Sequence, residues 1–332
     1  MVRSTTRRSR ARVLTAPAGG GPDLSVLIAS KDRADILRGT LERIDAQRGP
    51  DLDVQLLVCD SASSDHTSEM LETLKGPLSL HVERETRPGK NRALNRLLPH
   101  VGSALVVFTD DDVIPTPEWL RALARAAEEW PDAGIFGGRT TLAAPPGFPD
   151  AVFALEEQPG INFARYAPRP DEGETTAPPN GPNLAVRTNV LKDFGLDDSI
   201  GPDGSPTYTM GSETDLILRM VRGGTTIVYV PDAHVRHIVR PDQLTRKQLF
   251  ARSFRVGLTW SRLIQPYPEG PMLGRAPRWH WRALLEGLGA HLVSRARHTP
   301  DAIETGLTLH RLRGILHEYR NTHGAGSPGP SS

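Results

Sequence analysis

The chain has 332 residues, with 40 basic against 39 acidic side chains and a single cysteine. A formal charge of +1 leaves no global basic field of the kind that marks nucleic-acid binders, and one cysteine, Cys59, excludes both an internal disulfide and a cysteine-based zinc cluster. No apolar run approaches the roughly 18 residues of a spanning helix and the N-terminus lacks an apolar signal core, so the expectation is a cytoplasmic protein with no nucleic-acid partner and at most peripheral membrane contact.

Residues 1–22 are arginine-rich and end in Gly-Gly-Gly-Pro, the composition of a disordered basic tail. Leu24 to Ala29 reads as a buried strand, followed by a polar turn Ser30 to Arg33 and a helix over 35–47 whose Ile36, Leu37, Leu41 and Ile44 recur at helical spacing. Val54 to Cys59 is a second strand, closed by Asp60 to Asp65 and by a helix through Met70, Leu71 and Leu74. Strand, polar loop and helix, twice over, predict a doubly wound, mostly parallel α/β sheet. A short strand over 78–83 leads into a basic, glycine-containing loop, where Lys90 and Arg92 at a helix start suit an anion such as a diphosphate; a solvated basic helix start fits the same residues.

The segment Leu105-Val-Val-Phe-Thr-Asp110-Asp111-Asp112 is the most informative. It reads as a strand buried on both faces that ends in three carboxylates, with Pro115 and Pro117 expected to stop the ladder and start a helix reaching Trp130. Such acids repel one another unless a cation or protons offset their charge, and the C-terminal edge of an open α/β sheet faces the ligand crevice. The alternative is a solvated acidic turn capping the next helix.

Further on, Gly134 to Gly138 begins a strand, and 143–179 is rich in proline and charge, as in a functional flap, with a helix only near 151–157. Asn180 to Val186 returns to strand character, 189–194 is a short helix, and 195–209 is a loop. Glu213 and Asp215 open a helix running to Arg222, and strands follow over 226–230 and 233–237. Beyond about 241 the pattern is helical, over 244–263 and 279–293, and a second disordered tail is expected over 321–332. These basic C-terminal helices are expected to pack on the main domain, with a homodimer contact or a membrane-surface contact as alternatives.

Four loops, over 30–33, 60–65, 88–92 and 110–112, therefore belong to one sheet edge. Acids that hold a hard cation beside basic and amide groups suit a nucleoside diphosphate bridged by Mn²⁺ or Mg²⁺. Asp110 and Asp112, at i and i+2, are the expected metal ligands, Asp111 would bond a ribose, and His237 is a candidate third ligand, although a lone histidine is more often structural. Glu213 and Asp215 would favour a helix N-terminus by ~0.3–1 kcal/mol each, or one of them acts as a general base on an acceptor hydroxyl.

Taken in order, Leu24-Ser-Val-Leu-Ile-Ala-Ser-Lys-Asp-Arg33, Leu57-Val-Cys-Asp-Ser-Ala-Ser-Ser-Asp65, Gly89-Lys-Asn-Arg-Ala-Leu-Asn95, Phe108-Thr-Asp-Asp-Asp112, Asn180-Gly-Pro-Asn183, Gly211-Ser-Glu-Thr-Asp-Leu216 and Val230-Pro-Asp-Ala-His-Val-Arg-His237 resemble the blocks of family 2 glycosyltransferases. The resemblance implies a GT-A (Rossmann-like) domain over 23–240, with a nucleotide-binding half over 23–115 and an acceptor half over 116–240, followed by a helical extension over 241–320. It also implies a D-x-D motif with Mn²⁺ or Mg²⁺ and inversion at the sugar. Carried over by position, Ala29, Ser30, Arg33 and Asp60 line base and ribose, Lys90, Arg92 and Asn183 join the nucleotide-sugar site, and His237 lies by the metal. Ser61 stands where many relatives carry a second Asp. In the base block Ser212 stands where Glu is common and Glu213 where the catalytic Asp is common, so Glu213 is the expected base and Asp215 the runner-up. The processive members' signature and membrane helices are missing from the sequence. One sugar moved from a nucleoside-diphosphate sugar, UDP favoured, to a small-molecule or glycan acceptor is expected, in natural-product or cell-surface glycan synthesis. A nucleotidyltransferase is the competing enzyme, but Ser30 to Arg33 lacks its glycine- and arginine-rich loop; a non-catalytic nucleotide-sugar binder is the third reading.

Overall fold

The computed structural model describes residues 22–158, 162–264, 270–299 and 301–322. The tails expected over 1–22 and 321–332 lie almost wholly outside the described residues. The strands of the main sheet are β1 Leu24–Ser30, β2 Val54–Ser61, β3 Leu80–Glu85, β4 Leu105–Thr109, β5 Val113–Pro115, β6 Ile135–Ala143, β7 Gly173–Thr175, β8 Leu184–Arg187 and β9 Ile227–Ile238. Around them run α1 Ala34–Asp45, α2 Thr67–Leu74, α3 Lys90–Leu97, α4 Trp119–Glu129, α5 Pro149–Glu156, α6 Thr188–Leu191 and α7 Ser212–Arg222, then α8 Arg246–Thr259, α9 Arg278–Ala296 and α10 Ala302–Thr322.

The sheet order is β3-β2-β1-β4-β8-β6-β9-β5, with β7 added to β9. Strands β1 to β4, β6 and β9 run one way and β5, β7 and β8 the other, so the sheet is mostly parallel as the sequence predicts. Alternation along β1 explains the two covering layers. Val26 and Ile28 join a core with Leu37 and Leu41 of α1 and Leu123 of α4, while Leu27 joins a second core with Leu94 of α3 and Ile217 of α7. Both faces are covered, which is why β1 and β4 are apolar apart from Ser25 and the residues at their C-terminal ends.

Pro115 does not end the pairing. Val113–Pro115 forms an edge strand antiparallel to the second half of β9, and α4 starts only at Trp119. A proline is tolerated there because it is the last residue of an edge strand, where no ladder N–H is required of it. The two strands expected over 226–237 are one, β9, which slips in register against β6 between Gly138 and Arg139. The flap is not detached: Phe163 is fully buried with Val152, Val239, Leu249 and Leu307. At the C-terminus α10, which no periodicity announced, packs between α8 and α9 and buries Leu307, Ile315, Leu316 and Tyr319.

Candidate active site

Because β1, β2 and β4 are in parallel register, Ser30 lies beside Asp60 and Ile28 beside Thr109, so their C-terminal loops emerge together. They floor a cleft of about 590 Å³, closed on the far side by the turn before β8, the N-terminus of α7 and residues of α8. That size suits a ligand of nucleotide-sugar dimensions.

The β5–β9 pairing places Val113 opposite His237, and the Ile238 N–H donates to the Asp112 carbonyl at 2.8 Å. His237 Nε2 is thereby held 3.1 Å from Asp112 Oδ1 and 4.0 Å from Asp110 Oδ2. One ligand atom from each of Asp110, Asp112 and His237 lies within 4.8 Å of the other two. Asp112 Oδ2 is occupied by Arg33 at 3.0 Å and Arg240 at 3.1 Å, whereas the buried Oδ1 has no hydrogen-bond partner although the imidazole is close. Such an orphaned oxygen facing a ring nitrogen, with Asp110 at hand, fits the donor set of a Mn²⁺ or Mg²⁺ ion better than a plain ion pair. Burial opposes ionisation of Asp112, but the His237 contact and the Arg33 and Arg240 guanidinium groups outweigh it and hold its carboxyl well below the ordinary value.

Asp111 lines the cleft too, but with other partners. Its carboxylate accepts from Ser30 Oγ at 2.5 Å and Arg33 Nη1 at 2.6 Å, and its carbonyl from Thr40 Oγ1 at 2.8 Å. Burial pushes Asp111 up despite Arg33. One Asp111 oxygen is thus held by Arg33 and the other by Ser30, on the floor of the cleft.

Lys90, the first residue of α3, reaches across the cleft to Asp110 Oδ1 at 2.6 Å and Glu213 Oε1 at 2.7 Å. Burial works against its charge, and the two carboxylates more than restore it, so its pKa is raised. Glu213 sits in the first turn of α7 and is only 6% exposed. Gly211, at φ +91°, turns the chain into that helix in a conformation that favours glycine. The carboxyl of Glu213 packs on Gly181, where a Cβ would come within 2.5 Å of it.

Ala29, Ser30, Arg33, Ser61 and Lys90 line the cleft with Asp110–Asp112, Glu213 and His237. Four other expected site residues do not. Asp60 lies below the floor, accepting from the Ser63 N–H at 3.0 Å and from the Ser68 hydroxyl. Arg92 turns outward to the Pro88 carbonyl at 3.1 Å and Asp198 at 3.7 Å. Asp215 pairs with Arg219 at 2.8 Å. Asn183 is buried, accepting from Trp119 Nε1 at 2.8 Å and donating to the carbonyls of Arg139 and Ala233 at 2.9 and 2.8 Å. Among the residues that escaped the sequence reading are Gly181 in the cleft, although its block was in view, and Arg240, outside the cleft lining but bonded to Asp112 Oδ2 at 3.1 Å and signalled only by its position three residues after His237.

The profile described as "Glycosyltransferase like family 2" matches residues 22–259, and the chain belongs to that family. It is a glycosyltransferase with a GT-A fold. Over 242 residues it is 25% identical to Glycosyltransferase AglE of Haloferax volcanii, covering 71% of this chain and 72% of that one. The structure resembles the mannosyltransferase PcManGT from Pyrobaculum calidifontis, solved with GDP-Man and Mn²⁺, at a TM-score of 0.57 and 19% identity, over 92% of this chain and 89% of that one. It also resembles residues 1–349 of S. aureus TarS, solved with UDP-GlcNAc, at 0.51 and 14% identity, over 90% and 89%. Among the described residues no helix is long and apolar enough to cross a membrane.

Proposed function

We propose that the protein transfers one sugar, with inversion, from a nucleoside-diphosphate sugar to a hydroxyl of a discrete acceptor, in natural-product or cell-surface glycan synthesis. One observation carries this reading: Asp110, Asp112, His237 and Glu213, far apart in the chain, meet in a single cleft through Lys90 and the β5–β9 pairing. Donors of this type accompany both similar solved structures, GDP-Man in one and UDP-GlcNAc in the other. For this chain UDP is our choice, following the sequence resemblance.

Asp110, Asp112 and His237 are the groups that would hold Mn²⁺ or Mg²⁺. Such an ion supplies positive charge to the departing diphosphate. Lys90 adds a fixed cation on the same side and restrains Glu213 through Oε1, leaving Oε2 over Gly181 to take the acceptor's proton. A single displacement needs one base and no covalent intermediate, and Glu213 is the carboxylate on the wall across Lys90 from the aspartates. Diphosphate release measured with a panel of nucleotide sugars and acceptors, with NMR of the product anomer, tests the reading. An inverted product that requires Glu213 and a divalent ion supports it; a retained configuration would overturn the single displacement.

A further inference from the structure

Helix α9 packs Trp281 and Leu284 against the apolar cluster of α10, yet most of its remaining apolar surface faces outward. Its buried positions are polar, His280, His291 and Ser294, each bonded to α10: His280 Nε2 with the Leu312 carbonyl at 2.9 Å, His291 Nδ1 with Thr305 Oγ1 at 3.2 Å, and Ser294 Oγ with the same hydroxyl at 2.8 Å. Its outer side carries Leu285, Leu288 and Leu292, spaced three and four apart and so on one face, with exposures of 68, 43 and 57%, and Val293 at 49%. The adjoining strand Met272–Leu273, paired antiparallel with Ala276–Pro277, adds two more exposed apolar residues. Nothing among the described residues covers this surface. A helix in contact with water on that side normally shows the reverse pattern, because each solvent-facing leucine forgoes the burial that drives folding.

The charges around the stripe say what covers it. Arg278 and Arg282 stand at its start and Arg295 and Arg297 at its end, all exposed, whereas α9 itself carries a single acid, Glu286, which is paired with Arg282 at 2.7 Å. A second copy docked on this face about a twofold axis would bring the same positive groups against each other. An anionic lipid surface complements them, accepting the leucines at the acyl boundary while the arginine stems reach back to the headgroups. With no spanning segment among the described residues, the mode is an in-plane helix.

We propose that α9 and the 272–273 strand form a peripheral anchor that seats the enzyme on a bilayer containing anionic phospholipid. The anchor is independent of the assignment of the cleft, since α10 lies between α9 and the α8 residues that line it. Co-sedimentation of the full chain with vesicles of phosphatidylglycerol and phosphatidylcholine, and with phosphatidylcholine alone, tests it. The expected result is binding to the anionic vesicles that weakens with salt and drops about tenfold or more in Leu285→Ser/Leu292→Ser. Arg278→Gln/Arg295→Gln, on exposed positions, should weaken binding to the anionic vesicles while leaving the thermal unfolding curve unchanged. Failure of the wild type to sediment with anionic vesicles, or equal binding by both double variants, would overturn the proposal. So would a concentration-dependent dimer that the leucine variant abolishes in a protein that ignores vesicles.

Discussion

The Lys90 ammonium lies 2.7 Å from the Glu213 carboxylate and 2.6 Å from Asp110 Oδ1, bridging the two sides of the cleft. A base restrained in this way is positioned before the acceptor arrives, and only its proton-accepting oxygen is needed in the transfer. Glu213→Gln keeps the shape and a hydrogen-bonding oxygen for Lys90 but removes the basicity. The expected outcome is a fall in kcat of about 10²–10⁴-fold with donor affinity changed no more than about threefold, read by steady-state kinetics and donor titration. Activity retained in this variant would move the base elsewhere, with Asp215 next in line.

Gly181 offers a gentler test of the same geometry. A methyl group at this position would fall 2.5 to 2.7 Å from the three atoms of the Glu213 carboxyl group, which must then move. Gly181→Ala should lower kcat by about 10- to 100-fold, because a displacement of about an ångström is enough to lose a near-attack arrangement. Melting temperature and donor affinity should change much less, and calorimetry beside kinetics separates the two effects.

Asn183 should behave as a structural residue. Its three hydrogen bonds tie α4 to β6 and β9 behind the cleft, and Asn183→Leu leaves the Trp119 N–H and two carbonyls without those partners. A loss of at least about 2 kcal/mol in denaturant unfolding is expected, while the folded fraction keeps its donor affinity. A large loss of affinity with unchanged stability would place Asn183 in the nucleotide-sugar site instead.

The C-terminal helices carry a pH dependence of their own. Burial depresses the pKa of His280 below its ordinary 6.5, outweighing the hydrogen bond to Leu312. Below pH 6.5 the unfolded chain takes up the proton that the folded site refuses, so stability present above that pH is lost as pH falls toward the depressed value. The slope from this group is at most about 1.4 kcal/mol per pH unit. Burial lowers His291 and His310 as well, and they add in the same direction. Melting curves between pH 7.5 and 5, in wild type and His280→Phe, should show a steeper decline in the wild type.

Much of this arrangement was legible in the sequence, because the relevant signals are local. The apolar runs of β1, β2 and β4 announced doubly covered strands, and the residue types that follow them announced what their ends would hold. Long-range pairing was not legible. A three-residue strand ending in Pro115 has no periodicity to read, yet its pairing with β9 is what carries Asp112 to His237. Whether a polar group in a motif faces the cleft or turns away depends on its partners: Arg33 and Asp111 pair with each other within the cleft, whereas Arg92 and Asp215 find ion pairs away from it. Helix α10 escaped because its apolar positions answer two neighbours rather than one face, whereas α9 was legible as a helix although Leu285, Leu288 and Leu292 point outward.

The most direct test of a shared metal and nucleotide-sugar site is a thermal-shift panel of UDP-, GDP- and dTDP-sugars with Mn²⁺ or with EDTA, on the wild type and on Asp112→Asn and His237→Ala. One nucleotide sugar should raise the melting temperature only when Mn²⁺ is present, by the equivalent of about 2.7 kcal/mol at 100 times its Kd, and both variants should lose that metal-dependent shift. Stabilisation that is equal in EDTA, or that survives in both variants, would contradict a metal site built from Asp110, Asp112 and His237.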